Sequence, residues 1–269
     1  MNWPLPSRTM PLDETQQAAQ AQFDRQAARY GRGHILSDTG DVADALGGID
    51  NAALEPALDV ATGAGHTAVY LASRGLRVTA GDLSAGMLGQ TAQLAGEQGL
   101  TLQTAQHSAE ELPYPDAVFG LVTCRVAAHH FSSVEDFLRE AHRVLRPGGW
   151  LMVIDGAAPD DAPAAEEWIH EVEKLRDPSH GRFLRPSAWR ALAEAAGFAV
   201  QRCDCQPFKQ PDVEWYFHTA ATTAENRAKV LALIEQAPEE ARRVFGIARE
   251  DGRVVWWWLR LTLLAQRPM

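Results

Sequence analysis

Ala57-Leu58-Asp59-Val60-Ala61-Thr62-Gly63-Ala64-Gly65-His66-Thr67-Ala68 decides how this chain is read. A short apolar run leads into two glycines one residue apart, and a helix-like pattern follows from Thr67 to Ala72. That order describes a buried parallel strand, a tight turn and a helix. Glycine permits positive φ and lets the backbone approach a ligand, because no Cβ stands in the way. The helix start behind the turn offers unpaired N–H groups to a polar group above it. The stretch is a nucleotide-cofactor turn.

Gly63-Ala64-Gly65-His66-Thr67-Ala68 fits the loose dinucleotide pattern G-x-G-x-x-G/A. Asp59 argues against a dinucleotide, because a carboxylate four residues before Gly63 would face a pyrophosphate. The same carboxylate could hold a cationic amino group. Asp82, in Thr79-Ala80-Gly81-Asp82-Leu83-Ser84, ends the next strand and can accept both hydroxyls of a ribose. That second role is common to both cofactor classes and does not separate them.

Four segments carry a resemblance. Leu58-Asp59-Val60-Ala61-Thr62-Gly63-Ala64-Gly65 comes first and Gly81-Asp82-Leu83-Ser84-Ala85-Gly86-Met87 second. Glu110-Glu111-Leu112-Pro113-Tyr114 and Val144-Leu145-Arg146-Pro147-Gly148-Gly149 follow. In this order they resemble the motifs of class I S-adenosylmethionine-dependent methyltransferases, in the small-molecule branch with the ubiquinone and menaquinone methyltransferases. The resemblance covers roughly Phe23 to Phe198. It implies S-adenosylmethionine as cofactor and in-line methyl transfer to a small-molecule acceptor. Two other readings stand beside it: a non-catalytic S-adenosylmethionine-binding protein, and an NAD-dependent oxidoreductase.

Outward from the turn, strand and helix alternate, which implies right-handed crossovers and a parallel sheet. Strands are expected at Ala57–Ala61, Arg77–Gly81, Leu102–Gln106, Phe119–Cys124, Trp150–Asp155 and Phe198–Cys205, with Arg146-Pro147-Gly148-Gly149 as a turn. Arg253 to Gln266 alternates with period two and is taken as one antiparallel final strand. The expected fold is a Rossmann-like, doubly wound, mostly parallel seven-stranded sheet with helices on both faces. Residues 1–269 are read as a single methyltransferase domain. Residues 1–50 form an N-terminal helical cap, and 158–182 and 207–240 are helical insertions forming a substrate lid.

At 269 residues the chain has room for one such domain with appendages. A formal charge of −10 disfavours a broad nucleic-acid footprint, which needs a basic face. Cys124, Cys203 and Cys205 give neither a disulfide framework nor a closed zinc set. No stretch reaches the ~18 apolar residues of a membrane span, and no basic-then-apolar leader opens the chain. A cytoplasmic protein is expected. Nothing in the sequence fixes the oligomeric state.

For the cofactor, Asp59 is expected at the ammonium, directly or through water, with the backbone of Ala61, Thr62, Gly63 and Gly65 against the methionine moiety. Asp82 takes the ribose, and Leu83 and Met87 pack on the adenine. The resemblance adds Tyr30 as a cover over the cofactor. It adds the Ser108-Ala109-Glu110 segment at the adenine, where the family has Asp in place of Ser108. Phe119-Gly120-Leu121-Val122 departs similarly, with Gly120 where the family has Asp. Arg125 is expected at a carboxylate of cofactor or acceptor, the alternative being a salt bridge to a nearby acid. His129 and His130, just beyond the fourth strand, are the candidate acid–base pair, since imidazole titrates near neutrality. Asp177 and His180 could complete a metal set with them, but adjacent histidines rarely ligate one ion, and no metal is expected. Trp215-Tyr216-Phe217 offers aromatic walls for a planar or apolar acceptor.

Overall fold

The computed structural model describes residues 11–27 and 35–269. Helix α1 (Glu14–Gln26) starts on a capping box, with the Asp13 carboxylate accepting from Gln16 N at 2.8 Å and the Gln16 side chain accepting from Asp13 N at 3.2 Å. Tyr30 lies outside the described residues. Helices α2 (Gly40–Leu46) and α3 (Asn51–Leu54) deliver the chain to β1 (Ala57–Val60). Then follow α4 (His66–Ser73), β2 (Val78–Asp82), α5 (Ala85–Glu97), β3 (Gln103–Gln106) and β4 (Phe119–Arg125). Next come α6 (Val134–Val144), β5 (Leu145–Ala157), α7 (Pro163–Arg176), α8 (Pro186–Ala195) and β6 (Ala199–Lys209). The chain ends with α9 (Val213–Thr219), α10 (Ala224–Glu235), α11 (Glu239–Phe245), β7 (Ala248–Glu250), β8 (Arg253–Val255) and β9 (Trp257–Gln266).

The main sheet runs β3-β2-β1-β4-β5-β9-β6, and β9 is antiparallel to both of its neighbours. This is the expected mostly parallel seven-stranded sheet. Every residue of β1, β2 and β4 is buried, as strands covered on both faces must be. α6 shows how the covering works: Phe137, Leu138, Ala141 and Val144 form one buried stripe against the sheet, and Ser133 caps the start by accepting from Asp136 N at 3.1 Å. Because β1 lies between β2 and β4, the chain reverses its winding there. Loops leaving the carboxyl ends of β1, β2 and β4 open into one crevice.

Three local readings change. Arg146-Pro147-Gly148-Gly149 belongs to β5 as an irregular stretch between the Phe119–Leu145 and Leu121–Trp150 pairs, tied to the end of β9 by Gly148 N donating to Arg267 O at 2.8 Å. The tryptophan-rich end is two strands: Asp251 and Gly252, with φ of 48° and 78°, fold β8 back onto β7. β6 runs on through Lys209, so residues 207–209 are strand and the helical segment begins at Val213. α7, α9, α10 and α11 bury Trp168, Ile169, Tyr216, Phe217, Phe245 and Trp256 in a core of their own.

Gly120 shows why the family's aspartate is missing. A Cβ there would come within 2.8 Å of Ala53 O and Leu54 C, so the backbone before β1 fills the space a side chain would need. No helix among the described residues is long and apolar enough to cross a membrane.

Gly81 is equally constrained, because a Cβ on it would overlap the buried His107 imidazole. Gly81→Ala is expected to destabilise the protein by about 1–3 kcal/mol through overpacking. Urea denaturation checks this, and an unchanged midpoint would refute the packing account.

Candidate active site

The glycine turn is held from both sides. Thr62 N donates to Gly81 O at 2.9 Å, and Thr91 Oγ1 on α5 donates to Gly63 O at 2.8 Å. Gly65, at φ 88°, has no room for a side chain: a Cβ would lie 2.7 Å from the Thr91 methyl. Ala61 also takes positive φ, at 51°. The result is a backbone cradle facing an open crevice of about 940 Å³.

Ala61, Thr62, Gly63, Asp82, Leu83 and Met87 all line this crevice. Asp82 is 8% exposed, and its oxygens accept from Gly63 N and Ser84 N, each at 2.8 Å. Burial outweighs those two donors and pushes the carboxyl up to about 6. Asp59, 1% exposed, sits behind the cradle rather than on the crevice wall. Its oxygens accept from Thr123 Oγ1 and Thr62 Oγ1 at 2.6 Å, and burial again raises the pKa to about 6. Gly65 shapes the turn without lining the crevice.

Ala109 and Glu110 line the crevice beside His107, while Ser108 turns away from it. The Ser108 hydroxyl donates to Glu110 and accepts from Glu110 N at 3.0 Å, closing a tight local turn. Glu110 also accepts from Ser132 N at 2.9 Å and from Gln16 Nε2 at 3.1 Å. It thereby binds α1 to the crevice rim. His107 donates through Nδ1 to Ser108 O at 2.8 Å and pairs through Nε2 with the Tyr114 hydroxyl at 3.0 Å. Burial pulls its pKa down to about 4, so it is neutral.

α1 covers the crevice to an extent the sequence did not reveal. Gln16, Gln20 and Phe23 line it, Gln20 Nε2 donates to Leu83 O at 2.8 Å, and Asp24 accepts from Ser84 Oγ at 2.5 Å. In the sequence, the spacing of Phe23, Ala27 and Tyr30 at i, i+4 and i+7 marks only one side of an amphipathic helix.

Arg125 takes the second of its two expected partners. Asp41 pairs with it at 2.9 Å, and the carbonyls of Leu36 and Asp38 accept at 2.8 and 2.6 Å. Its guanidinium borders the crevice while its donors hold the 35–41 segment in place.

Beyond Phe23, Leu36, Val126 and His130, which both spaces share, a second cavity of about 760 Å³ opens. Phe183, Trp215, Trp258 and Leu259 supply apolar walls, with Arg176, Asp177 and Arg260 at its edges. Both histidines of the pair reach it, and they are not equivalent. His129 Nδ1 donates to Asp155 Oδ1 at 2.6 Å, and His129 N donates to Asp155 Oδ2 at 2.9 Å. Burial would depress this imidazole, but the Asp155 charge and hydrogen bond raise it above its ordinary 6.5. His130 donates through Nδ1 to Ser179 O at 3.0 Å, and burial, with His129 beside it, lowers its pKa to about 4. Asp155 was missed, although it ends β5 much as Asp59 and Asp82 end theirs. No group of three or more His, Cys, Asp or Glu side chains among the described residues is arranged to hold a metal ion.

A family profile described as "Methyltransferase domain" matches residues 58–153. The uncharacterized methyltransferase YcgJ of Bacillus subtilis (strain 168) is 31% identical over 245 residues, covering 90% of this chain and 96% of that protein. Its crystal structure aligns with a TM-score of 0.74 over 81% of this chain and 93% of that one, at 29% identity. A demethylmenaquinone methyltransferase of Thermus thermophilus is 35% identical over 165 residues, 54% of this chain and 74% of that protein. With the strand order, the glycine cradle and the buried acids at the strand ends, these likenesses place the chain in the class I S-adenosylmethionine-dependent methyltransferase family.

Proposed function

We propose that the chain transfers a methyl group from S-adenosylmethionine to a small-molecule acceptor in the second cavity, with His129 as general base. The observation that carries this reading is the contact between two spaces: a crevice on the glycine cradle and an aromatic-walled cavity, meeting at His130.

The crevice residues fit the cofactor by chemistry. Asp82 retains acceptor lone pairs for ribose hydroxyls, Leu83 and Met87 offer apolar surface to a flat base, and the cradle admits the methionine moiety. Asp59 would reach the ammonium only through Thr62 or water, since it lies behind the turn. Bound there, the cofactor supplies an activated methyl group. The protein's remaining work is to place the acceptor and hold its proton, and proximity supplies much of the rate. With Nδ1–H fixed on Asp155, His129 presents Nε2 as its proton-accepting nitrogen. The acceptor's reacting group then carries a proton at neutral pH, as a hydroxyl, amine or thiol does.

α7 and α9, with Trp215, wall the second cavity and act as the substrate lid in this reading. Incubation with labelled S-adenosylmethionine and a metabolite extract tests the function directly. Label recovered in a small molecule supports it, while cofactor binding without transfer favours the non-catalytic alternative.

His129→Ala should lower kcat by about 10²–10⁴-fold and leave S-adenosylhomocysteine affinity unchanged. Because only neutral His129 is a base, the rate should rise with pH through a midpoint above 6.5. Asp155→Asn should move that midpoint down, since burial is then opposed only by the charges of Glu173 and Asp177. A pH–rate profile identical in Asp155→Asn and wild type would exclude the dyad.

Asp82→Ala should weaken S-adenosylhomocysteine binding roughly ten- to a hundredfold, the worth of a charge-assisted contact. Asp59 and Asp82 carry folded pKa values raised above their ordinary 3.8. Their contribution to ligand-free stability is full below pH 3.8 and is lost as pH rises to about 6. Asp82→Asn should flatten this decline, on the order of 1–3 kcal/mol, in denaturation measured across that window.

A further inference from the structure

Arg260 is, with Arg176 and Asp177, one of the charged groups at the second cavity that the proposed mechanism leaves unused. It sits on β9 with its side chain 14% exposed, and Nη1 donates to Asp41 Oδ2 at 3.1 Å. Arg125 Nε and Nη2 donate to that same oxygen, each at 3.1 Å. One carboxylate therefore serves two guanidiniums by direct contact; Asp155 and Asp38 act on Arg260 only at a distance, and its guanidinium carbon lies 3.4 Å from the centre of the Phe208 ring. Arg260 Nε and Nη2 hydrogen-bond to no described residue. Those two atoms form the side edge of the guanidinium, where parallel N–H groups match a carboxylate in bidentate fashion.

No acid other than Asp41 forms an ion pair or hydrogen bond with Arg260 among the described residues. Arg176 is engaged by Glu173 at 3.1 Å, by Thr219 Oγ1 at 3.0 Å and by Tyr216 O at 3.1 Å. Asp177 is turned to Ser179, whose N and Oγ donate to Asp177 Oδ1 at 2.9 and 2.7 Å. On its other side Arg260 borders an outer groove with Asp38, Asp41 and Asp44, which disfavours an anion there. Arg202 and Lys209 in that groove are paired, with Asp44 at 2.8 Å and with Glu250 at 2.6 Å. Arg260 does not line the cofactor crevice. Burial and the neighbouring Arg125 draw its pKa down to about 10 against the pull of Asp41, Asp155 and Asp38, so an anion in direct contact in the cavity would favour the desolvated cation.

We propose that Arg260 is the anion anchor of the acceptor site, and that the acceptor carries a carboxylate on a planar or apolar body lodged among Phe23, Phe183, Trp215 and Trp258. This rests on the second cavity being the acceptor site. The protein thus recognises an organic acid at one end and presents a protonated group near His129 at the other.

The test is titration calorimetry on the full chain, saturated with S-adenosylhomocysteine, using 2-naphthoate and its uncharged counterpart 2-naphthamide. Wild type should bind the carboxylate about tenfold or more tightly than the amide. Arg260→Gln should erase that preference, and Arg260→Lys should retain part of it. Neither substitution should change the affinity for S-adenosylhomocysteine, which also reports that each variant is folded. Equal binding of the two probes by wild type overturns the proposal whether or not the variants fold. A preference that survives in Arg260→Gln also overturns it. So does a loss of S-adenosylhomocysteine affinity in folded Arg260→Lys, which would assign the guanidinium to the cofactor. Wild-type protein that binds no S-adenosylhomocysteine would instead refute the methyltransferase reading, and the naphthoate pair, titrated alone, would still decide the anion site.

Discussion

The Asp82 carboxylate is withdrawn from water at the end of β2, and two backbone N–H groups rather than a cation hold it there. Gly63 N comes from the β1 turn and Ser84 N from the start of α5, so this one side chain fastens two loops together. Thr91 repeats the fastening about two helix turns beyond, by donating to Gly63 O. A lysine or arginine at this point would satisfy Asp82 permanently and leave nothing for a ligand. Backbone donors leave lone pairs free and keep the carboxylate desolvated, which is why its pKa stands near 6. Hydroxyl donors from a bound ribose would restore the lost solvation. The affinity of the site and the instability of its empty state have the same physical origin.

Much of this was legible in the chain. The glycine turn, the acids ending β1 and β2, and the alternation of apolar runs with amphipathic helices fix the sheet, because periodicity reports burial on each face. Asp251-Gly252 was a readable hairpin signal too, but the apolar alternation running past it obscured the break before β9. Partners distant in sequence were not legible. Asp155 and His129 are 26 residues apart, and Asp41 is separated from Arg260 by 219. Nothing local in either segment names the other. For the same reason Arg125 could be read toward a ligand or toward an acid, and only the placement of the 35–41 segment decides between them. Ser108 occupies the family's position, and its hydroxyl accepts from Glu110 N and from Gln16 Nε2 on α1, partners that the local sequence does not name.

Two residues with left-handed backbone stand where the cavities meet the sheet. Ala61 and Val126 follow the ends of the neighbouring strands β1 and β4, and both hold positive φ, at 51° and 55°. Left-handed backbone is costly for a β-branched residue, on the order of 1–3 kcal/mol, and persists only when its surroundings dictate it. At Val126 the surroundings are explicit: its N–H donates to Ile154 O at 2.7 Å, continuing the β4–β5 ladder past the strand end. The turn throws Ala127 and the histidine pair sideways across the sheet edge. Continued extended backbone would instead carry His129 away from Asp155.

Asp41 joins the two halves of the molecule that this geometry separates. Arg125 leaves β4, at the centre of the parallel sheet, and Arg260 leaves β9, the antiparallel strand added last, yet both close on a single carboxylate from α2. Arg125 has its remaining donors on backbone carbonyls, so it fixes the 35–41 segment, which contributes Leu36 to both cavities. Arg260 has no such carbonyls: its face stacks on Phe208, and its Nε/Nη2 edge hydrogen-bonds to no described residue. Two guanidiniums sharing a carboxylate repel each other, and only the less committed one can lower that energy by recruiting a new anion. The parallel core therefore supplies a fixed cation to order the wall between the cavities, while the added strand supplies an available one.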